Sequence, residues 1–316
     1  VITYFKSQTL DRPSVVAIGN FDGVHLGHQK ILSIAKTHAK RLSCDVTVLT
    51  FSPHPTFELR PESRLKLLMT YEEKRNQLAH FGVDYCVEET FDAAFAKTTA
   101  HDFFHVILKD RLKAQVIVVG SDFFFGHRRE GTIDLLRKYC ADSNILLEQV
   151  PPVLVQGTAV SSSRIRECLN QGDLTAANEL LGRPFFYNGE VVHGDKRGRL
   201  LGFPTANMNC EEKFPLLTGV YATSVIWRDQ QFQSVTNIGT RPTFTAQATA
   251  GTVNNIIPIK IETHLLGQDL NLYDQQLEVR FHRRLREEKR FSSVEELKEQ
   301  ISADIKLAKQ LLSTVL

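Results

Sequence analysis

Apolar and polar positions follow two different rhythms along this 316-residue chain. In the first half, unbroken apolar runs alternate with stretches whose apolar residues return every three or four positions. Ser14–Gly19 (SVVAIG), Asp45–Phe51 (DVTVLTF), Val83–Val87, Gln115–Gly120 (QVIVVG) and Ile145–Val150 predict buried strands. Helices are expected between them, over Gly27–Leu42, Ala94–Lys109 and Thr132–Cys140. Another runs from Thr70-Tyr71-Glu72-Glu73, which has the spacing of a capping box, to about Phe81. Strand–helix alternation predicts a doubly wound parallel α/β sheet. Such sheets take ligands at the carboxyl ends of their strands.

Pro151-Pro152 interrupts this rhythm, and Ser162–Asn170 and Asp173–Leu181 read as two short helices. Gly182-Arg183-Pro184 is the expected boundary, dividing the chain into domains 1–182 and 183–316. Beyond it the pattern is strand-rich, with Phe186–His193, Gly219–Trp227, Gln233–Ile238, Pro258–Leu265 and Gln276–Phe281 separated by turn residues. That pattern predicts an antiparallel β-barrel. Ser292-Ser293-Val294-Glu295 reads as a capping box opening a C-terminal helix to about Leu312. Thr245–Asn255 has small residues without apolar period and reads as a mobile loop.

Composition narrows the function classes. With 42% hydrophobic residues the chain can fill two cores, and a net charge of +2 leaves no electrostatic footprint for nucleic acid or membrane. Val1–Leu10 lacks the apolar core of a signal peptide, and no run is long enough to span a bilayer. Cys44, Cys86, Cys140, Cys168 and Cys210 are scattered and odd in number, which fits a reducing cytoplasm rather than a disulfide framework or zinc site.

The segment Gly19–His28 (GNFDGVHLGH) lies between an expected strand and an expected helix. Its glycines allow close approach to a ligand, the helix start offers free N–H groups to an anion, and His25 and His28 can donate to phosphate oxygens. Ser161-Ser162-Ser163-Arg164-Ile165-Arg166 also opens a helix, where hydroxyls and arginine forks suit phosphate. A glycine turn with surface histidines, and an N-cap with solvated arginines, are the plain alternatives. Together the two segments resemble the HxGH nucleotidylyltransferase superfamily, and GNFDGVHLGH resembles the GxFDGxHxGH signature of the prokaryotic FAD synthetase family. Thr50–Pro55 (TFSPHP) and Gly120–Gly126 (GSDFFFG) resemble two further segments of that family, with Ser52 where Glu is usual and Phe124 where Arg is usual. The resemblance implies that His25, His28 and Arg166 are catalytic. It places Gly19, Phe21, Gly27 and Ser162 at ATP, and Asp22, His54 and Asp122 at the flavin.

In the second half, Gly194–Met208 reads GDKRGRLLGFPTANM. Gly194, Gly198 and Gly202 make a loop that can close over phosphates, and Lys196, Arg197 and Arg199 add positive charge. Pro204 fixes the chain before Thr205, and Thr205 and Asn207 share one face of an extended segment. Their hydroxyl and amide oxygens suit Mg²⁺. The plain alternative is a basic hairpin loop. This stretch resembles the riboflavin kinase signature, and Asn237–Phe244 (NIGTRPTF), Ile261–Leu265 (IETHL) and Leu285–Phe291 (LREEKRF) follow in family order. The resemblance implies a six-stranded Greek-key barrel that uses Mg-ATP. It implies that Gly194, Lys196, Gly198, Gly202, Pro204 and Thr205 bind ATP, that Thr205 and Asn207 hold the metal, that Arg286 contacts flavin, and that Glu262 is the base. Strand alternation by itself puts Lys260, Glu262 and His264 on one face and Ile259, Ile261 and Thr263 on the other, which also fits a solvated carboxylate.

Three functions stand at this point. The chain makes FMN from riboflavin and FAD from FMN; or one domain has lost its activity; or it is a flavin-binding module without catalysis. Intact His25, His28, Thr205, Asn207 and Glu262 favour the first.

Overall fold

A computed structural model describes residues 2–5, 9–194, 197–210, 215–240, 259–268 and 270–313. Lys196 and the loop expected over Thr245–Asn255 lie outside the described residues. The chain packs as two compact units that divide between Ser162 and Ser163.

In the first unit, six parallel strands, β1 (Ile2–Phe5), β2 (Ser14–Ile18), β3 (Asp45–Phe51), β4 (Tyr85–Glu89), β5 (Ala114–Gly120) and β6 (Leu146–Val150), lie in the order β1-β4-β3-β2-β5-β6. All five residues of β2 are buried, as a strand covered on both faces requires. Helix α1 (Leu26–Leu42) buries Ile31, Leu32, Ala35 and Ala39 and ends at Ser43 in the left-handed region. Because β3 and β4 lie on one side of β2 and β5 and β6 on the other, the chain changes direction across the sheet at β2. The carboxyl ends of β2 and β5 therefore flank the topological switch point.

The short helix α2 (Pro55–Leu59) precedes α3 (Tyr71–His80), whose Thr70–Glu73 capping box is present in full. The helix expected over Ala94–Lys109 is broken instead. A 3₁₀ turn (Phe95–Lys97) stops at Thr98, and α4 (Ala100–Asp102) restarts with the Thr99 hydroxyl accepting from the Asp102 N–H at 3.0 Å. A π-helix then runs over Phe103–Arg111. Thr99 supplies the restart, since its hydroxyl takes a backbone N–H that a continuous helix would bond to a carbonyl. Helix α5 (Ile133–Asp142) follows. A hairpin of β7 (Leu154–Val155) and β8 (Thr158–Ala159) turns through Gln156 and Gly157, both at positive φ, where the sequence suggested only a break.

The second unit opens with α6 (Ser162–Gln171) and α7 (Leu174–Leu181). Its antiparallel sheet contains β9 (Phe185–Glu190), β10 (Ala206–Cys210), β11 (Gly219–Trp227), β12 (Gln230–Thr240), β13 (Ile259–Leu265) and β14 (Gln276–Arg286), in the order β10-β13-β12-β11-β14-β9. Strands β11, β12 and β13 form a meander and β14 returns beside β11, a Greek key. The edges β9 and β10 curl toward each other, and a bridge between Val192 and Asn207 joins them. The short α8 (Arg197–Leu201) lies in the connection from β9 to β10. Hydroxyls of Thr223, Ser234, Thr236 and Thr263, all fully buried, bond to one another at 2.7–3.0 Å and so satisfy themselves away from water.

Helix α9 (Val294–Leu312) packs Ala308 and Leu312 against Ala222. Its cap sits one residue later than the spacing suggested. Ser293 accepts from the Glu296 N–H, and Glu296 reaches back to Ser292. Strand β14 extends five residues beyond Phe281, so part of the basic run His282–Arg290 is sheet.

Candidate active sites

Between β2 and α1 the chain makes a tight turn in which Phe21 (φ 51°), Gly23 (φ 86°) and Val24 (φ 39°) occupy the left-handed region. That conformation is costly at Phe21 and Val24, and the surroundings hold it. Both side chains are fully buried, and Gln29 Nε2 donates to the Val24 carbonyl at 2.9 Å. The Asp22 carboxylate accepts from the Leu68 N–H (2.9 Å), its carbonyl accepts from the Ser162 hydroxyl (2.8 Å), and the Thr50 hydroxyl donates to the Asn20 carbonyl (3.1 Å).

This clamp presents two imidazoles. His25 caps α1, its Nδ1 accepting from the His28 N–H at 3.4 Å. Neutral His25 therefore carries its proton on Nε2, where it can donate to a ligand. The His25 and His28 rings stack with centroids 3.7 Å apart, and Phe21 lies 5.0 Å from His28. Gly27 makes the stacking possible: a Cβ there would stand 3.2 Å from the His25 ring. Burial first, then the charges of His25 and Lys74, push the His28 pKa well below the usual histidine value. His28 is thus neutral at neutral pH, and its buried Nδ1 has no partner among the described residues. Neutral donors over the open N–H groups of a helix start, at the switch point, can bind phosphate.

The other expected residues lie at separate points along the chain. Gly19 ends the β2 side, where a Cβ would meet the Phe21 ring at 3.3 Å. His54 follows β3 and caps α2, accepting from the Thr56 N–H at 3.2 Å. Asp122 is exposed just after β5. Arg166 is half-buried one turn beyond Ser162 on α6, past the division between the units.

The barrel assembles its polar site from strands distant in sequence. Glu262 is paired with Asn207 on one side and Asn237 on the other, so the three side chains form a row on one face. Ile261, Thr263 and Leu265 are buried while Lys260, Glu262 and His264 are half-buried, the alternation expected from the sequence. Lys260 Nζ bridges Glu262 Oε1 (3.1 Å) and Asn207 Oδ1 (3.4 Å). Asn207 Nδ2 donates to the Thr205 carbonyl at 3.2 Å, and His264 holds the Pro204 carbonyl at 2.7 Å. Gly194 and Gly198 permit close approach, since a Cβ would come within 2.7 Å of the Asn207 amide or 2.5 Å of the Phe203 carbonyl. Gly202 takes φ 92° after α8. A cavity of about 400 Å³ opens here, lined by Gly194, Arg199, Thr205, Asn207, Leu272 and Tyr273. Arg286 lies at the end of β14 and donates to Asp304 of α9 at 2.8–3.1 Å.

A model of FAD synthetase matches residues 7–164, and one of riboflavin kinase matches residues 181–312. The bifunctional riboflavin kinase/FMN adenylyltransferase of Escherichia coli K12 is 36% identical, the alignment covering 94% of this chain and 92% of that one. The protein of the same description from Pseudomonas fluorescens is 38% identical over 95% and 93%. The chain belongs to the bifunctional riboflavin kinase/FMN adenylyltransferase family. A solved structure from Streptococcus pneumoniae described as a macrolide-efflux protein shares the fold, with a TM-score of 0.85, 29% identity and coverage of 98% of this chain and 99% of that one. Among the described residues no helix is long and apolar enough to cross a membrane.

Membership of this family directs attention to polar residues that the sequence alone did not single out. Lys74 reads as a solvated lysine within YEEKR, yet it is 4% exposed. Lys260 sat on the expected polar face of its strand, but nothing in the sequence placed it against Asn207. Asn237 was quoted as part of NIGTRPTF without a role. Glu288 lies close enough that a Cβ on Gly239 would stand 2.5 Å from its carboxylate. Burial first, then the charge of Glu262, raise the Glu288 pKa.

Proposed function

We propose that the barrel transfers the γ-phosphoryl group of ATP to riboflavin, giving FMN, and that the parallel-sheet unit transfers the adenylyl group of a second ATP to FMN, giving FAD and pyrophosphate. The observation that carries this reading is that each unit has a separate polar site of its own, the stacked His25–His28 pair in one and the Asn207–Glu262–Asn237 row in the other.

For adenylyl transfer, an FMN phosphate oxygen attacks the α-phosphorus. The new P–O bond forms as the α–β bridge breaks, and its electrons leave on pyrophosphate. His25 and His28 donate N–H bonds to the α-phosphoryl oxygens as charge builds there, a role of pre-placed donors. Gly19, Phe21 and Gly27 shape the ATP side. Ser162 and Arg166 take the triphosphate end, and Asp22, His54 and Asp122 serve the flavin side.

For phosphorylation, Glu262 accepts the proton of the terminal ribityl hydroxyl while its oxygen attacks the γ-phosphorus and ADP leaves. The loop Gly194–Pro204, with Lys196, closes on the nucleotide, and Arg286 stands on the flavin side. Thr205 and Asn207 carry hard oxygens, Thr205 Oγ1 accepting from Asn207 Nδ2 at 3.5 Å and Asn207 Oδ1 accepting from Lys260 at 3.4 Å. No group of three His, Cys, Asp or Glu fit for a metal occurs among the described residues. Mg²⁺ arriving with ATP would be held by Thr205 Oγ1 and, once released from Lys260, Asn207 Oδ1, together with phosphate and water, and would offset phosphate charge. None of the five cysteines, all of them among the described residues, is in a disulfide, which suits a cytoplasmic site of action.

Incubation with riboflavin, ATP and Mg²⁺, with products separated by chromatography, tests the assignment. FMN and FAD are expected; FMN alone removes the adenylyl activity, and neither product removes both. Domains 1–182 and 183–316, expressed apart, should retain FAD formation from FMN and FMN formation from riboflavin respectively.

A further inference from the structure

Lys74 lies on α3 with 4% of its surface exposed. Burying an ammonium is expensive unless something compensates it. Among the described residues, the bonds it makes are to two neutral oxygens, Thr50 Oγ1 (3.1 Å) and the Phe51 carbonyl (3.4 Å), and it lies 5.0 Å from the Tyr71 ring centroid. The buried carboxylate next to it, Glu88, spends one oxygen on Arg75 at 2.9 Å, and its other oxygen has no partner among the described residues. The sheet therefore keeps a cation near, but not joined to, its counter-charge. Thr50 in turn donates to the Asn20 carbonyl within the turn that carries His25 and His28. An unbroken chain of bonds runs from Lys74 through Thr50 into that turn.

We propose that Lys74 is a positioning residue for adenylyl transfer: it holds the histidine turn from beneath through Thr50 and supplies a fixed positive charge beside His28. The charge acts on His28 directly, adding to burial and to His25 in keeping that ring neutral. Its own pKa is lowered by burial, while Glu88, Cys86 and Asp22 pull it back up and Arg75 opposes them. The groups facing this cation are thus His25, His28 and Asp22 from the turn and α1, Tyr71 and Arg75 from its own helix, and Cys86 and Glu88 from β4. None of them replaces the chain of bonds through Thr50.

The inference rests on adenylyl transfer occurring at the His25–His28 site. The test uses the full chain with Lys74→Met and Lys74→Arg. Imidazole NMR titration of His28 should show its pKa higher in Lys74→Met than in the unaltered protein, and close to the original in Lys74→Arg. FAD formation from FMN should fall on the order of 10²-fold in Lys74→Met, as displaced catalytic groups do, mainly in kcat. Riboflavin phosphorylation and the melting temperature report whether the protein is intact. An unmoved His28 titration or an undiminished FAD rate in folded Lys74→Met overturns the proposal. Should Lys74→Met not fold, Thr50→Val cuts the chain but leaves the charge. It should lower kcat for FAD formation without moving the His28 titration, and an unchanged kcat is then the overturning result. The titration needs no turnover, so its failure is distinct from an unaltered protein that makes no FAD, which would remove the adenylyl assignment instead.

Discussion

The two units hold phosphate-transfer chemistry in opposite ways. In the parallel sheet the groups proposed to react are neighbours in sequence: His25 ends one turn and His28 opens the helix after it, and the fold strains and clamps that turn at the end of β2. In the barrel, Asn207, Glu262 and Asn237 come from three strands, and strand register alone brings them together. A site on one turn fails when the turn relaxes; a site spread over a sheet fails when one member is lost or when register slips.

The sharpest way to break the comparison is to remove the carboxylate proposed as the barrel's base. Glu262→Gln keeps size and hydrogen bonding but cannot take a proton, so riboflavin phosphorylation should fall about 10²–10⁴-fold. FAD formation from supplied FMN should continue, with melting unchanged. A parallel loss of both activities would show that the sites are not independent.

The converse is His28→Ala. Loss of one pre-placed donor costs about 10²–10³ in rate, so FMN should accumulate without FAD. An unchanged FAD rate removes His28 from the chemistry.

Gly27→Ala sharpens the contrast between strain and stability. Alanine is the better helix former by ~1 kcal/mol, yet its Cβ would press on the His25 ring from 3.2 Å. FAD formation should drop roughly 10-fold, a fraction of what a full 1 Å displacement costs. The melting temperature should not fall. Equal activity would mean that the ring stacking has slack.

The smallest effect concerns the barrel's acid response. His282 bonds to the Ser224 hydroxyl at 2.9 Å, and burial first, then Arg280, lower its pKa from 6.5 to about 4. Between those values the unfolded chain binds the extra proton and the folded one does not. The stability contribution is therefore full above pH 6.5 and is lost as pH falls toward 4. Melting curves across that window should slope less steeply in His282→Gln, and identical slopes would exclude His282 as the titrating group.

How much of this was legible in the sequence follows from the same contrast. Apolar runs and capping residues located β2, β3, β5, α1 and α3 because burial and capping leave local marks. The HxGH turn was equally legible, being contiguous. What the sequence hid was non-local. Nothing in YEEKR distinguishes the buried Lys74 from a surface lysine, because its burial is decided by Thr50 and Phe51 on β3. Arg286 was expected at the flavin, and its bond to Asp304 depends on where α9 docks. The interruption at Thr98-Thr99 lay within a stretch of helical period, and hydroxyl capping outweighed that period.

The barrel seam has a kinetic reading. Val192 donates its N–H to the Asn207 carbonyl at 2.8 Å, bridging the strand edges. Asn207 therefore lines the cavity beside Thr205 and latches the sheet with its backbone. Anything that immobilises its side chain also damps opening of the latch. Amide hydrogen exchange at Val192 should slow when Mg-ATP is added, while amides deep in β11 keep their rates, making one backbone proton a reporter of occupancy.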